Sequence, residues 1–265
     1  MKRVWLRAAA LALVVVGAVA GLTVYFSSET IPRCLVSGVR TWRPPTDGRT
    51  HRYEVVILDR SACFVDMDQQ QRLVGALPLS QAKWLSAAVP RVSDTLSVRD
   101  TEEGVAFMTR RGLLGVRVVD LHTNRTLDVT RFKGFTWNPR FGPDPPSHGL
   151  SLAPDRPELW VLDAPNGVVH VFDVSELPGR PPRRLEDIRL SKPISGDESP
   201  CTRACGRIGS LQHSADGRFV YVGDAGDVID VRTREVVANL EALHNSRIQL
   251  EVDWVGGRAV FPPRS

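Results

Sequence analysis

The stretch Ser147–Asp173 reads SHGLSLAPDRPELWVLDAPNGVVHVFD. Its apolar runs are Gly149–Leu152, Leu159–Leu162 and Val168–Phe172, and Pro, Asp, Asn and Gly fill the gaps. Val, Leu, Trp and Phe suit a pleated, buried surface, and the gap residues are those that tight turns require. The segment is predicted to form a strand–turn–strand–turn–strand unit.

Copies of this unit lie on both sides. Tyr53–Asp66 is the first, followed by Gln69–Leu79 with an outer strand at Arg72–Gly75. Leu96–Asp120 is the second; it runs on into LHTNRTLDV, where Asn124-Arg125 reads as a hairpin turn. Gly209–Asp230 is the fourth, followed by VRTREVVANL, and a shorter fifth begins at Ile248 with a hairpin turn at Gly256-Gly257. An Asp closes the third strand of each full unit, at Asp66, Asp120, Asp173 and Asp230, so the spacings are 54, 53 and 57 residues. Each of these Asp residues is expected to accept backbone N–H groups of the turn that follows it. A near-constant period of this size marks a repeat architecture.

Each unit reads as a four-stranded antiparallel meander, and such meanders arranged radially make a β-propeller. The expected fold is all-β: a propeller of four-stranded antiparallel blades, with material for about four to five blades. A β-sandwich is the alternative, but it does not explain the period. The last two strands, Ile248–Trp254 and Arg258–Pro262, are expected to share a blade with the strand at Tyr53–Leu58, which removes long exposed edges. Gln81–Val89 reads as a short helix or a loop with Trp84 buried. Residues Arg131–Pro146 and Pro178–Cys205, rich in proline, read as long inserts over the propeller faces, where function commonly sits.

The runs SHGLSLAPDRPELWVLD, NGVVHVFDVS, HSADGRFVYVGD and GDVIDVRTREVVANL resemble the YVTN/YncE-like β-propeller repeat family. The resemblance is good over Ser147–Trp254, fair over Leu96–Asp120 and poor before Tyr53. It implies the fold and says little of activity. Such propellers usually have about seven blades, and this chain departs from that. Some propellers related in fold are lactonases or dehydrogenase subunits, so the resemblance admits an enzyme with a site at the central channel.

The N-terminus carries a different signal. Lys2, Arg3 and Arg7 precede Ala8–Phe26, a run of 19 residues without a charge. At a helical rise of about 1.5 Å per residue this run spans roughly 28 Å, close to the hydrocarbon thickness of a bilayer. Cations on the near side keep that end cytoplasmic and send the rest across. Residues 1–26 are read as a membrane anchor or a signal peptide, 27–50 as a linker, and 51–265 as the propeller. Ala18-Val19-Ala20 offers a cleavage site near Ala20, which would make the protein secreted. The apolar run continuing to Phe26 favours an uncleaved anchor with the propeller outside the cytoplasm.

The chain has 34 Lys and Arg against 30 Asp and Glu. Without the three cations of the leader the charges nearly balance, which gives little support for a nucleic-acid partner. Arg180, Arg183 and Arg184 are read as a solvated loop.

Outside the cytoplasm disulfides are permitted. Cys201 and Cys205 are close enough to staple the loop before the fourth unit, and no feature of the sequence supports a Cys34–Cys63 pairing. A CxxxC redox or metal pair is the functional alternative. His148 and His213 sit at corresponding first strands, which line a propeller's channel, and two imidazoles at one axis would bind a metal or act as acid and base. The plainer reading is that each holds a turn. Glu251 and Asp253 are further channel-facing candidates; the inner strands otherwise read LSV, GLSL, GSLQH and QLEVD, mostly apolar or small. Asp155 and Asp216 are read as turn caps. Trp137 and Phe141 are candidate aromatic contacts for a partner, with core packing as the alternative. No phosphate-binding glycine loop, GxSxG elbow or zinc signature occurs, and neither a cofactor nor a metal is expected. The leading expectation is a binding or scaffold module of the cell envelope.

Overall fold

The computed structural model describes residues 40–262, except 59–60, 87–96, 101–102, 139, 141–144, 193, 195–208 and 245–247. The predicted anchor at residues 8–26 lies outside the described residues. Among those that are described, no helix is long and apolar enough to cross a membrane.

The strands assemble into four antiparallel sheets. The first blade combines β1 (His51–Leu58), β2 (Ser61–Asp66) and β3 (Arg72–Pro78) with β16 (Ile248–Val255) and β17 (Arg258–Val260), in the order β17-β16-β1-β2-β3. The second is β4 (Ser97–Asp100), β5 (Val105–Met108), β6 (Gly115–Asp120) and β7 (Thr126–Arg131). The third is β8 (Leu150–Leu152), β9 (Glu158–Asp163), β10 (Val168–Asp173) and β11 (Arg183–Arg189). The fourth is β12 (Ser210–His213), β13 (Phe219–Gly223), β14 (Asp227–Asp230) and β15 (Glu235–Asn239). This is a propeller-like arrangement of four blades. The C-terminal strand β16 pairs with β1 over His51–Ile57, as the sequence indicates, and β17 adds a fifth strand beyond it.

The 54-residue period has a geometric counterpart. In every blade the pairing between third and fourth strands slips once: between Phe64 and Val65, Val118 and Val119, Val171 and Phe172, and Val228 and Ile229. Each slip falls one to two residues before the closing Asp. That Asp then caps the turn. Asp66 Oδ1 accepts the N–H groups of Asp68 and Gln69, Asp120 Oδ1 those of His122 and Thr123, Asp173 Oδ1 that of Ser175, and Asp230 Oδ1 those of Arg232 and Thr233. A bulge that strengthens the local twist, followed by an Asx turn, starts each outer strand in the same direction.

The outer strands β7, β11 and β15 are largely exposed. That explains one correction. The predicted insert Pro178–Cys205 contains β11, and Arg183 and Arg184 lie on that strand rather than in a loop. Exposed on both faces except at Ile188, β11 needs no apolar alternation, so the run RRLEDIR carries no strand signal. The helix at Gln81–Val89 is a single turn, α1 (Lys83–Ser86). It buries Leu85 completely, while Trp84 is only half-buried.

Three apolar clusters bridge neighbouring blades. Val105, Phe107, Val116 and Val118 of blade 2 meet Leu159, Val161 and Phe172 of blade 3. Trp160, Leu162 and Val169 of blade 3 meet Leu211, Val220 and Ile229 of blade 4. Val56, Cys63 and Val65 of blade 1 meet Phe219 and Tyr221 of blade 4 and Leu243 of the connection after it. The fourth cluster covers the remaining face of blade 1 with Trp42, Trp84 and Trp254 around Phe64; the Trp42 and Phe64 rings stack at 4.0 Å. Among the described residues no apolar cluster joins blades 1 and 2. A side chain such as Trp160 or Phe107, fully buried at a seam, contributes on the order of 2–3 kcal/mol of transfer free energy.

Candidate functional site

In a meander of this kind, the first and third turns of each blade lie at one end and the second turn at the other. Most of the polar groups of interest collect at the end of the first and third turns, where blades 3, 4 and 1 meet.

His213 ends β12 beside the first turn of blade 4. Its Nδ1 lies 2.7 Å from Ser151 Oγ on β8, and its backbone N–H donates to the same oxygen at 3.1 Å. The ring stands edge-on to Trp160 at 5.4 Å, and Nε2 has no hydrogen-bond partner among the described residues. Burial disfavours the charged ring and pushes the pKa down to about 3, so His213 is neutral at physiological pH. His148 lies at the other end of the same seam, just before β8, with Nδ1 2.6 Å from Gly209 O. From Gly209 to His213 is about 13 Å at ~3.3 Å per strand residue. The two histidines therefore fasten opposite ends of the β8–β12 seam. They do not share a site, and the expectation of paired imidazoles at one axis is corrected accordingly. Among the described residues, no group of three or more His, Cys, Asp and Glu side chains is placed to hold a metal ion.

Glu251 and Asp253 come together around a residue that sequence reading passed over, Arg52. On β1, Arg52 reaches Asp216 in the first turn of blade 4 at 2.9 Å and Glu251 on β16 at 3.2 Å; Asp68 lies at 3.8 Å. Glu251 also accepts the Ala215 N–H at 2.6 Å. Burial raises the Glu251 pKa, and the Ala215 N–H and Arg52 oppose the rise. Asp253 faces Arg52 in the β1–β16 register, and burial raises its pKa as well. The result is an ionic clasp between blades 1 and 4. Arg52 reads as an ordinary strand residue; only the pairing of β16 with β1 puts it and Glu251 together in reach of Asp216.

Beside the clasp, a cleft of about 290 Å³ opens between blades 3 and 4. It is lined by Asp155, Arg156, Asp216, Gly217, Arg218, Asp230 and Arg232. Arg156 is held by both oxygens of Asp155, at 2.9 and 2.7 Å. Asp216 Oδ1 accepts from Ser214 Oγ and the Arg218 N–H, while Oδ2 faces Arg52.

A second buried group was also missed. His170, on β10 and fully buried, lies with Nδ1 2.7 Å from Asp187 and Nε2 3.3 Å from Asp163. Phe132 and Phe135 cover its ring at 4.2 and 4.7 Å. Arg184 donates to Lys133 O and Asn166 to Thr136 O. This network fastens the start of the Arg131–Pro146 insert onto blade 3. The sequence hint was a lone His inside an apolar strand, VVHVFD, but its partner Asp187 emerges only from the β10–β11 register.

Trp137, in that insert, is half-buried. Phe141 lies outside the described residues, as do Cys201 and Cys205. Cys63 is disulfide-bonded, with its partner outside the described residues.

No family model matches the chain, and no curated protein matches it in sequence. Solved structures similar in shape include the periplasmic gluconolactonase of Pseudomonas aeruginosa, with 16% identity and TM-score 0.41 over 79% of this chain and 56% of that one. The β-propeller domain of Cps50 (Swd1) from Myceliophteria thermophila has 15% identity and TM-score 0.34, over 70% and 51% of the two chains. A protein from Lactobacillus plantarum has 14% identity and TM-score 0.37, over 76% and 55%. The chain spans roughly half the length of these three structures. On their own strand order, the described residues form an all-β, propeller-like repeat of four sheets.

Proposed function

We propose that this protein is a non-catalytic binding module, held at the outer face of a membrane by residues 8–26, which presents the first-turn end of blades 3 and 4 to a partner in the cell envelope. One observation carries the reading: His148, His213 and Glu251, the candidate channel groups at the inner strands, are engaged in joining blades. His148 is tied to Gly209, His213 to Ser151, and Glu251 to Ala215 and Arg52. The disulfide at Cys63 fits an oxidising compartment. Kinship with YVTN/YncE-like propellers belongs to the same proposal.

A photoreactive residue at Thr233, exposed at this end, should give a discrete envelope adduct that the same residue at Arg111, at the opposite end of blade 2, does not give. Equal labelling from both positions, or none, sinks the reading.

The 2.7 Å contact between Ser151 Oγ and His213 Nδ1 favours a second reading, a hydrolase with Ser151 as nucleophile and His213 as its base. Both residues are buried, with 7% and 6% of their surfaces exposed. That reading requires ester or lactone turnover which Ser151→Ala abolishes.

A further inference from the structure

The cleft between blades 3 and 4 carries a charge imbalance that a count of its residues hides. It has three aspartates and three arginines. The aspartates are committed: Asp155 to Arg156, Asp216 to its own turn and Arg52, and Asp230 Oδ1 to the N–H groups of Arg232 and Thr233. Of the arginines, only Arg156 has a carboxylate partner among the described residues. Among the described residues, the exposed side chains of Arg218 and Arg232 form no ion pair.

The Arg218 guanidinium carbon lies over the Phe219 ring, 5.1 Å from its centroid, a cation–π contact that takes up none of its N–H groups. The Arg232 backbone is fixed by the Asp230 cap. Gly217 closes the cleft wall: a Cβ there would come within 2.8 Å of Asp155 Oδ1. The volume is near the lower limit for a small-molecule site.

We propose that this cleft binds a compact oxyanion, a carboxylate or phosphate group, between the guanidinium edges of Arg218 and Arg232. The planar fork of a guanidinium matches either group bidentately. The inference rests on the binding-module reading and names the chemistry at that module's surface.

The test is calorimetric titration of the full chain in detergent with inorganic phosphate and with succinate, against sodium chloride at matched ionic strength. Saturable one-to-one binding is expected for at least one of the two anions, and the stronger one identifies the source chemistry. Arg218→Gln and Arg232→Gln should each weaken binding about 3- to 10-fold, and the double variant at least tenfold. Arg125→Gln, in an exposed turn of blade 2, should leave it unchanged. A circular-dichroism melt of each variant checks folding; both arginines are exposed, so folding should be retained. Three results overturn the inference: no saturable binding of either anion, retained affinity in the double variant, or an equal loss in Arg125→Gln. If neither anion binds while the Thr233 adduct persists, the oxyanion site falls and the binding-module reading stands.

Discussion

Ser151 Oγ and His213 Nδ1 stand 2.7 Å apart across the seam of β8 and β12, in the interior beneath the first turns of blades 3 and 4. The contact joins two inner strands whose sequences contain few other polar groups. It gives the seam a pH dependence that the burial of His213 determines.

The folded state holds His213 neutral down to about pH 3, whereas an unfolded histidine takes up its proton near pH 6.5. The unfolded chain therefore binds the extra proton in that window. The contribution is fully present above pH 6.5 and is lost as pH falls toward 3. At pH 4 the loss is on the order of 3 kcal/mol, at about 1.4 kcal/mol per pKa unit. Urea unfolding of the wild type and His213→Asn at pH 7 and pH 4 should show the wild type losing more by about that amount. A His213 ring titrating near pH 6.5 in the folded protein would rule this out.

Arg52 neutralises two carboxylates from different blades, and Glu251 is 7% exposed at its side chain. Arg52→Ala leaves them facing each other in a partly buried site, at an expected cost of about 2–4 kcal/mol at pH 7. Because burial already raises the Glu251 pKa, protonation relieves the variant at acidic pH. The destabilisation relative to wild type should shrink between pH 7 and pH 5. A constant difference would show that the clasp is not electrostatic.

Gly115 opens β6 at φ +151°, and a Cβ there would sit 2.2 Å from Thr130 O on the paired strand. Its N–H donates to the buried Ser147 Oγ of the next blade at 2.9 Å. Gly115→Ala must displace backbone at a blade junction and should cost about 2–4 kcal/mol in chemical denaturation. An effect below about 0.5 kcal/mol would mean that the β6–β7 pair is looser than described.

The four closing Asp residues do one structural task in four places. Asp120→Ala and Asp230→Ala each remove two exposed hydrogen bonds from backbone N–H groups, and only a small loss of stability is expected for each. Asp66→Ala should cost more, because Asp66 is 4% exposed and also accepts from the Gln69 side chain. Thermal melts of the three variants check the ranking. If one of them abolished partner capture without a change in stability, that Asp would have a functional role beyond the cap.

Much of the blade structure was legible in the chain. The periodic Asp, the turn residues before and after each aromatic-rich strand, and the Val-rich third strands come from local chemistry: alternation, turn propensity and side-chain capping act within a few residues. The sharing of β16 with β1 was also readable, since a fifth unit that stops after two strands needs neighbours for its edges. The outer strand β11 was not, because a strand exposed on both faces, with Ile188 alone buried, carries no apolar pattern. The candidate site was mostly hidden. Arg52 and Asp216 are 164 positions apart, His170 meets Asp187 only through the β10–β11 register, and the freedom of Arg218 and Arg232 depends on which other charges are already paired. The sequence by itself determined the repeating unit, because the unit is held by contacts between near neighbours. Which charges pair and which remain open was decided by the tertiary structure, because blade packing alone sets the distances between residues remote in the chain.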